Sequence, residues 1–152
     1  MSVSVVHNTD CLAFMRGLGD NAFDLALVDS PYGIDEDGSK NHTRGLLATS
    51  QNYKAYSSGD KEPPSPEFFT ELFRISKNQI IWGANHMDLI AKPILAGCPP
   101  NGVIYDPFCG TATTLIGAHK LGRRWIGSEI SAEYCEIANK RLKPYLDQVS
   151  LF

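Results

Sequence analysis

The residues best suited to chemistry fall in two short stretches. The first is Asp29-Ser30-Pro31-Tyr32-Gly33, which directly follows an apolar run. A carboxylate beside a backbone carbonyl offers two acceptors to an amino group. That matters for an amino nitrogen conjugated to a ring, because its lone pair is delocalised and a poor nucleophile. Asp29 would hold one N–H and the carbonyl of Ser30 the other. Together they would turn the nitrogen towards tetrahedral geometry and stabilise the positive charge that grows as it attacks. Pro31 fixes the backbone between them. Tyr32 offers a ring on which a flipped-out base can stack. Asp, Ser, Pro and Gly are also ordinary turn residues, so taken alone the stretch reads equally well as a turn.

The second stretch is Asp106-Pro107-Phe108-Cys109-Gly110-Thr111-Ala112-Thr113-Thr114. A strand, a turn of small residues and a helix start follow one another there. Such a turn lets a ligand approach the backbone, and a helix N-terminus presents free N–H groups. Glu129 comes 19 residues after Gly110, at the end of the next apolar run. An acid at that distance can accept hydrogen bonds from both hydroxyls of a ribose. The turn departs from the three-glycine dinucleotide fingerprint, and a tight βα connection with a surface Glu is the plainer alternative.

Alternating elements position both stretches. Apolar runs at 3–7, 23–28, 79–82, 102–105 and 124–127 read as strands, and near-continuous apolar runs suit strands covered on both faces. Residues 66–76 carry Phe68, Phe69, Leu72, Phe73 and Ile75 at helical spacing, with Pro66 suited to the first turn. A helix over 111–121 stops at Gly122. A third covers 132–146, which Pro144 should bend or end. This alternation predicts an α/β layered domain. Residues 35–66 are rich in Gly, Ser, Asn, Lys and Pro and read as a loop over the site. Lys40, His42, Arg44 and Lys54 there suit phosphates, or a merely solvated loop.

The 152 residues suffice for one domain with a real core. No apolar run is long enough to span a bilayer, and the start lacks the pattern of a signal peptide, so a cytoplasmic protein is expected. Cys11, Cys98, Cys109 and Cys135 form no C-x-x-C pair, which argues against a zinc site and for reduced thiols. A net charge of -3 argues against a broad nucleic-acid surface but permits a local basic strip.

Asp29 to Tyr32 resembles the D-P-P-Y motif of DNA amino-methyltransferases, and Asp106 to Gly110 resembles their D-P-F-x-G cofactor motif. With the catalytic motif first, the chain resembles the beta group of that family. Residues 78–85, Lys92-Pro93 and the tail Ala138-Asn139-Lys140-Arg141-Leu142 extend the likeness over nearly the whole chain. The resemblance implies an α/β, circularly permuted Rossmann-like class I methyltransferase fold. Its sheet would be mostly parallel with helices on both faces, in a single catalytic domain over 1–152. It implies S-adenosyl-L-methionine as cofactor, no metal, and double-stranded DNA with a flipped base as partner. Direct methyl transfer to adenine N6 is favoured over cytosine N4, and a homodimer is left open. By position, Asp106 would lie near the cofactor's amino group, and Phe108 would pack beside the cofactor with Gly110 and Thr111. Glu129 would bind its ribose, Asp10 its adenine, and Lys92 would sit near its carboxylate. Plainer roles also fit: a helix cap for Asp10, a surface lysine for Lys92, core packing for Phe108.

Ser30 replaces the first proline of the family motif, which keeps the carbonyl acceptor. Ala112 stands where the family usually has glycine, so its methyl group can crowd the turn. Residues 86–93 join where the family usually carries another strand pair and target-recognition elements, as if a segment were lacking near 90–91. What remains between 84 and 99 is long enough for a helical crossover. The five strands can then order as first, fifth, fourth, second, third. A folded but inactive cofactor-binding remnant is the alternative reading. A nicotinamide-dependent oxidoreductase shares the architecture but leaves Asp29 to Tyr32 unexplained.

Overall fold

The computed structural model describes residues 4–29, 64–81 and 87–147, and for 87–89 the backbone alone. Elements follow in the order β1 (Val5–Asn8), α1 (Cys11–Arg16), β2 (Leu25–Val28), α2 (Pro66–Ile75), β3 (Gln79–Ile81), α3 (Met87–Gly97), β4 (Val103–Asp106), α4 (Thr113–Lys120), β5 (Arg124–Glu129) and α5 (Ala132–Leu146). The strands form one sheet ordered β1-β5-β4-β2-β3, and every neighbouring pair is parallel. This is the expected α/β methyltransferase architecture and the expected strand order.

Burial explains the arrangement. β2 and β4 are buried along their whole length, as fully covered central strands must be. Side chains alternate between two cores. Leu25, Leu27, Ile104 and Trp125 face Ile90, Ile94, Leu115, Ile116, Ala138 and Leu142, which come from α3, α4 and α5. Ala26, Val28, Tyr105 and Ile126 face Met15, Phe68, Leu72 and Ile75 of α1 and α2. Helices therefore cover both faces. Ile90, Ile94 and Cys98 follow one another at four-residue spacing, so α3 makes the crossover to β4, and the chain passes 90–91 within a single helix.

Element ends differ from the sequence reading for local reasons. β1 begins at Val5 because Ser4 has φ of 69°, outside the strand region. α4 begins at Thr113 because Ala112 is left-handed, with φ 67° and ψ 29°. Gly122, with φ 68°, ends that helix, and Arg123 N–H returns to the carbonyl of Ala118. Pro144 does not break α5, which runs two residues further to Leu146. Its missing N–H falls in the last turn, where little helix remains to lose. Residues 30–63, with most of the expected loop and Lys40, His42, Arg44 and Lys54, lie outside the described residues, as does Trp82. Among the described residues no helix is long and apolar enough to cross a membrane.

Packing is tight where β5 meets the turn before α4. A Cβ on Gly127 would lie 2.8 Å from both Cys109 Sγ and Leu115 Cδ1. Gly127→Ala is expected to lower stability by about 1–3 kcal/mol through overpacking. Chemical denaturation checks this, and a midpoint equal to wild type would show that the neighbours give way.

Candidate functional site

Parallel pairing brings the carboxyl ends of β2, β4 and β5 to the same side of the sheet. Ala26 pairs with Tyr105, and Asp106 with Gly127. β4 thus ends in Asp106 between its two neighbours, β5 runs on to Glu129, and Asp29 follows directly after β2. Strand alternation puts Leu25, Leu27 and Ile104 on one face with Trp125, and the same parity carries Asp29, Asp106 and Glu129 to that face. Three acids therefore gather where three strands end.

Their charges act on one another. Asp106 is buried, which pushes its carboxyl up from 3.8 to about 7. Hydrogen bonds from Thr114 and from the Phe108 N–H oppose the rise, while Asp29 and Glu129 add to it. Burial also raises Asp29. Phe108 N–H donates to Asp106 Oδ1 at 3.0 Å. Glu129 accepts from Gly110 N–H at 3.0 Å and from Ser131 N–H at 2.8 Å, so its carboxylate is aimed by two loops. Cys109 N–H donates to the Ser128 carbonyl at 3.1 Å, tying the turn after β4 to β5.

Other expected residues have definite places. Phe108 is partly buried with its ring 5.3 Å from that of Phe68, so it caps the α2 side of the core and stands beside the turn. Asp10 caps α1, accepting from Ala13 N–H at 2.8 Å. It also stands at the β1 tip, where Thr9 N–H reaches the Glu129 carbonyl. Lys92 is exposed on α3, two residues from both Ile90 and Ile94 and hence on the side away from the sheet. It does not join the acids. Ser30, Pro31 and Tyr32 lie outside the described residues.

Some site residues escape sequence reasoning. Ser128 is fully buried, donates to the Pro107 carbonyl at 2.9 Å and pairs with the Tyr105 hydroxyl at 2.8 Å. The signal is a polar residue at an inward strand position. Arg141 reaches from α5 to Thr111, although its place in the tail motif assigns it no role. Cys109 and Cys135 are buried, and burial raises both thiols, so they are packing residues and poor nucleophiles.

The donor set fits a ligand that brings a positive charge and N–H or hydroxyl donors. Asp106 is an acid raised chiefly by its burial, with Asp29 and Glu129 adding to the rise, and a cation would relieve it. Gly110, with φ of 49°, keeps the backbone bare beside Glu129. Among the described residues no three His, Cys, Asp or Glu side chains are placed to hold a metal ion.

Residues 86–140 match the family model for DNA methylases of the N6 and N4 type. The orphan methyltransferase M.BamHII of Bacillus amyloliquefaciens is 47% identical over 53 residues, covering 35% of this chain and 20% of its own length. The type II methyltransferase M.HinfI of Haemophilus influenzae is 47% identical over 55 residues, covering 36% of this chain and 15% of its own. The chain thus spans about a fifth or less of these relatives. Among solved structures, TTHA0409 of Thermus thermophilus, assigned as a DNA modification methylase, shares the fold. Its complex with S-adenosyl-L-methionine has TM-score 0.56 at 15% identity, over 95% of this chain and 97% of that one. Motif order, strand order and these likenesses agree: the chain is related to the DNA amino-methyltransferases, the N6 and N4 DNA methylases.

Proposed function

We propose that this chain carries the catalytic site of a DNA methyltransferase that uses S-adenosyl-L-methionine to methylate an exocyclic amino nitrogen, adenine N6 before cytosine N4. One observation carries the reading: Asp29, Asp106 and Glu129 close three strands on one side and one face of the sheet. The cofactor supplies an electrophilic methyl group on a sulfonium. Asp106 would take the charge of its ammonium, Glu129 would accept from its ribose, and the turn from Phe108 to Thr111 would help to hold it. Asp10 stands at the β1 tip next to Glu129 and would hold the cofactor's adenine. Asp29 and the Ser30 carbonyl hold the two N–H bonds of the target amine, and Tyr32 stacks on the flipped base. Rate comes from positioning and from acceptors aimed at the charge that develops on nitrogen. Double-stranded DNA is the partner, and the same fold holds S-adenosyl-L-methionine in TTHA0409.

The test is to incubate the protein with S-adenosyl-L-methionine and unmethylated DNA of mixed sequence, then to sequence modified bases. N6-methyladenine at a defined site is the expected product. N4-methylcytosine would keep the chemistry and change the target. Cofactor binding by calorimetry with no methylated base would mark a binding protein without activity. Absence of both would end the proposal.

A further inference from the structure

The turn that faces the strand-tip acids is strained. Gly110 and Ala112 both have positive φ, 49° and 67°, and Ala112 is a buried, non-glycine residue in the left-handed region. Left-handed backbone is unfavourable for alanine and persists only where surrounding contacts impose it. Two contacts come from the sheet: Gly110 N–H to Glu129, and Cys109 N–H to the Ser128 carbonyl. The residue between the two left-handed positions is Thr111, and it is held from the other side. Arg141, on α5, places Nη1 2.5 Å from the Thr111 carbonyl oxygen and 2.6 Å from its Oγ1, with Thr113 Oγ1 at 3.4 Å. A guanidinium is well suited to such a grip, being always charged, rigid, and able to donate to several acceptors at once. The sheet thus fixes one flank of the turn and α5 the other.

Resting on the proposed function, we propose that Arg141 is a positioning residue for the cofactor. By gripping Thr111 it holds the Gly110–Ala112 backbone in its left-handed form, which keeps Gly110 N–H on Glu129 and leaves the Glu129 carboxylate aimed at the ligand. Arg141 is exposed and stands outside the cores, so its removal should loosen the turn without unfolding the protein.

The test compares wild type with Arg141→Ala and Arg141→Lys by two measurements. Amide hydrogen exchange without cofactor reads the clamp itself. Exchange at residues 110–113 should rise about tenfold in Arg141→Ala, less in Arg141→Lys, and not at all in β4 or β5. Calorimetry with S-adenosyl-L-methionine reads the consequence. Affinity should fall about tenfold in Arg141→Ala, with partial recovery in Arg141→Lys, while turnover at saturating cofactor changes little. Unchanged exchange at 110–113 overturns the clamp. Raised exchange with unchanged affinity overturns its role in cofactor binding. Raised exchange in a protein whose wild type binds no S-adenosyl-L-methionine leaves the clamp standing and removes the functional reading instead.

Discussion

Asp29→Ala is expected to slow methyl transfer about a hundred- to a thousandfold while leaving affinity for S-adenosyl-L-methionine little changed. The carboxylate follows β2 directly and sits beside Asp106, yet it takes no part in the turn proposed to hold the cofactor. Its proposed partner is the amine of the base, and it gains importance only as charge grows on that nitrogen. The loss should therefore appear in turnover at saturating cofactor and DNA and not in cofactor binding. Asp29→Asn keeps a carbonyl acceptor without the negative charge, so it should fall between wild type and Asp29→Ala. Single-turnover transfer, with calorimetry on the same samples, makes the comparison. A variant that transfers at the wild-type rate would take Asp29 out of the chemistry.

Asp106→Asn should have two effects of opposite sign. The first is loss of cofactor binding, because an amide cannot answer an ammonium as a carboxylate does. The second is a gain in ligand-free stability. The folded carboxyl lies at about 7 and the unfolded one near 3.8, chiefly through burial. Across that window the folded state keeps its proton more tightly than the unfolded one. The wild type therefore loses stability relative to Asp106→Asn as pH rises through the window, and the full difference is present above about 7. A shift of that size corresponds to something on the order of 4 kcal/mol. The same proton governs binding: an ammonium pairs with the charged acid, so wild-type affinity should fall about tenfold for each pH unit below about 7. Denaturation of the two ligand-free proteins across this range measures the first quantity, and calorimetry the second. An affinity flat with pH would show that Asp106 is already ionised before the ligand arrives.

Much of the fold can be read from the sequence because the apolar runs are short, continuous and evenly spaced. Runs such as Leu25–Val28 have no polar face, so they must be central strands, and Ile90, Ile94 and Cys98 recur at a helical period. The acids at the strand tips are legible too, since each is the first charged residue after such a run. What is not legible depends on distant residues meeting. The carboxyl of Asp106 is raised chiefly because distant elements bury it, with Asp29 and Glu129 adding to the rise, and no spacing along the chain encodes that meeting. The Arg141 grip joins residues 30 apart through the packing of α5 against the turn before α4. Lys92 illustrates the converse. A Lys-Pro pair suggests a ligand contact, but the helix that carries it turns the lysine to solvent.

The register of β1 has a consequence for how the protein is made. Among the described strands β1 pairs with β5 alone, Val5 against Ile126 through Asn8 against Glu129. The ribosome therefore releases β1 more than a hundred residues before β5 exists. At about 5–20 residues per second that interval lasts several seconds or longer. Through it β1 waits without β5, and closing so long a loop makes this contact intrinsically slow. Among the described strands the β1–β5 pairing should be the last to close, and nascent chains stalled before β5 should depend most on chaperones.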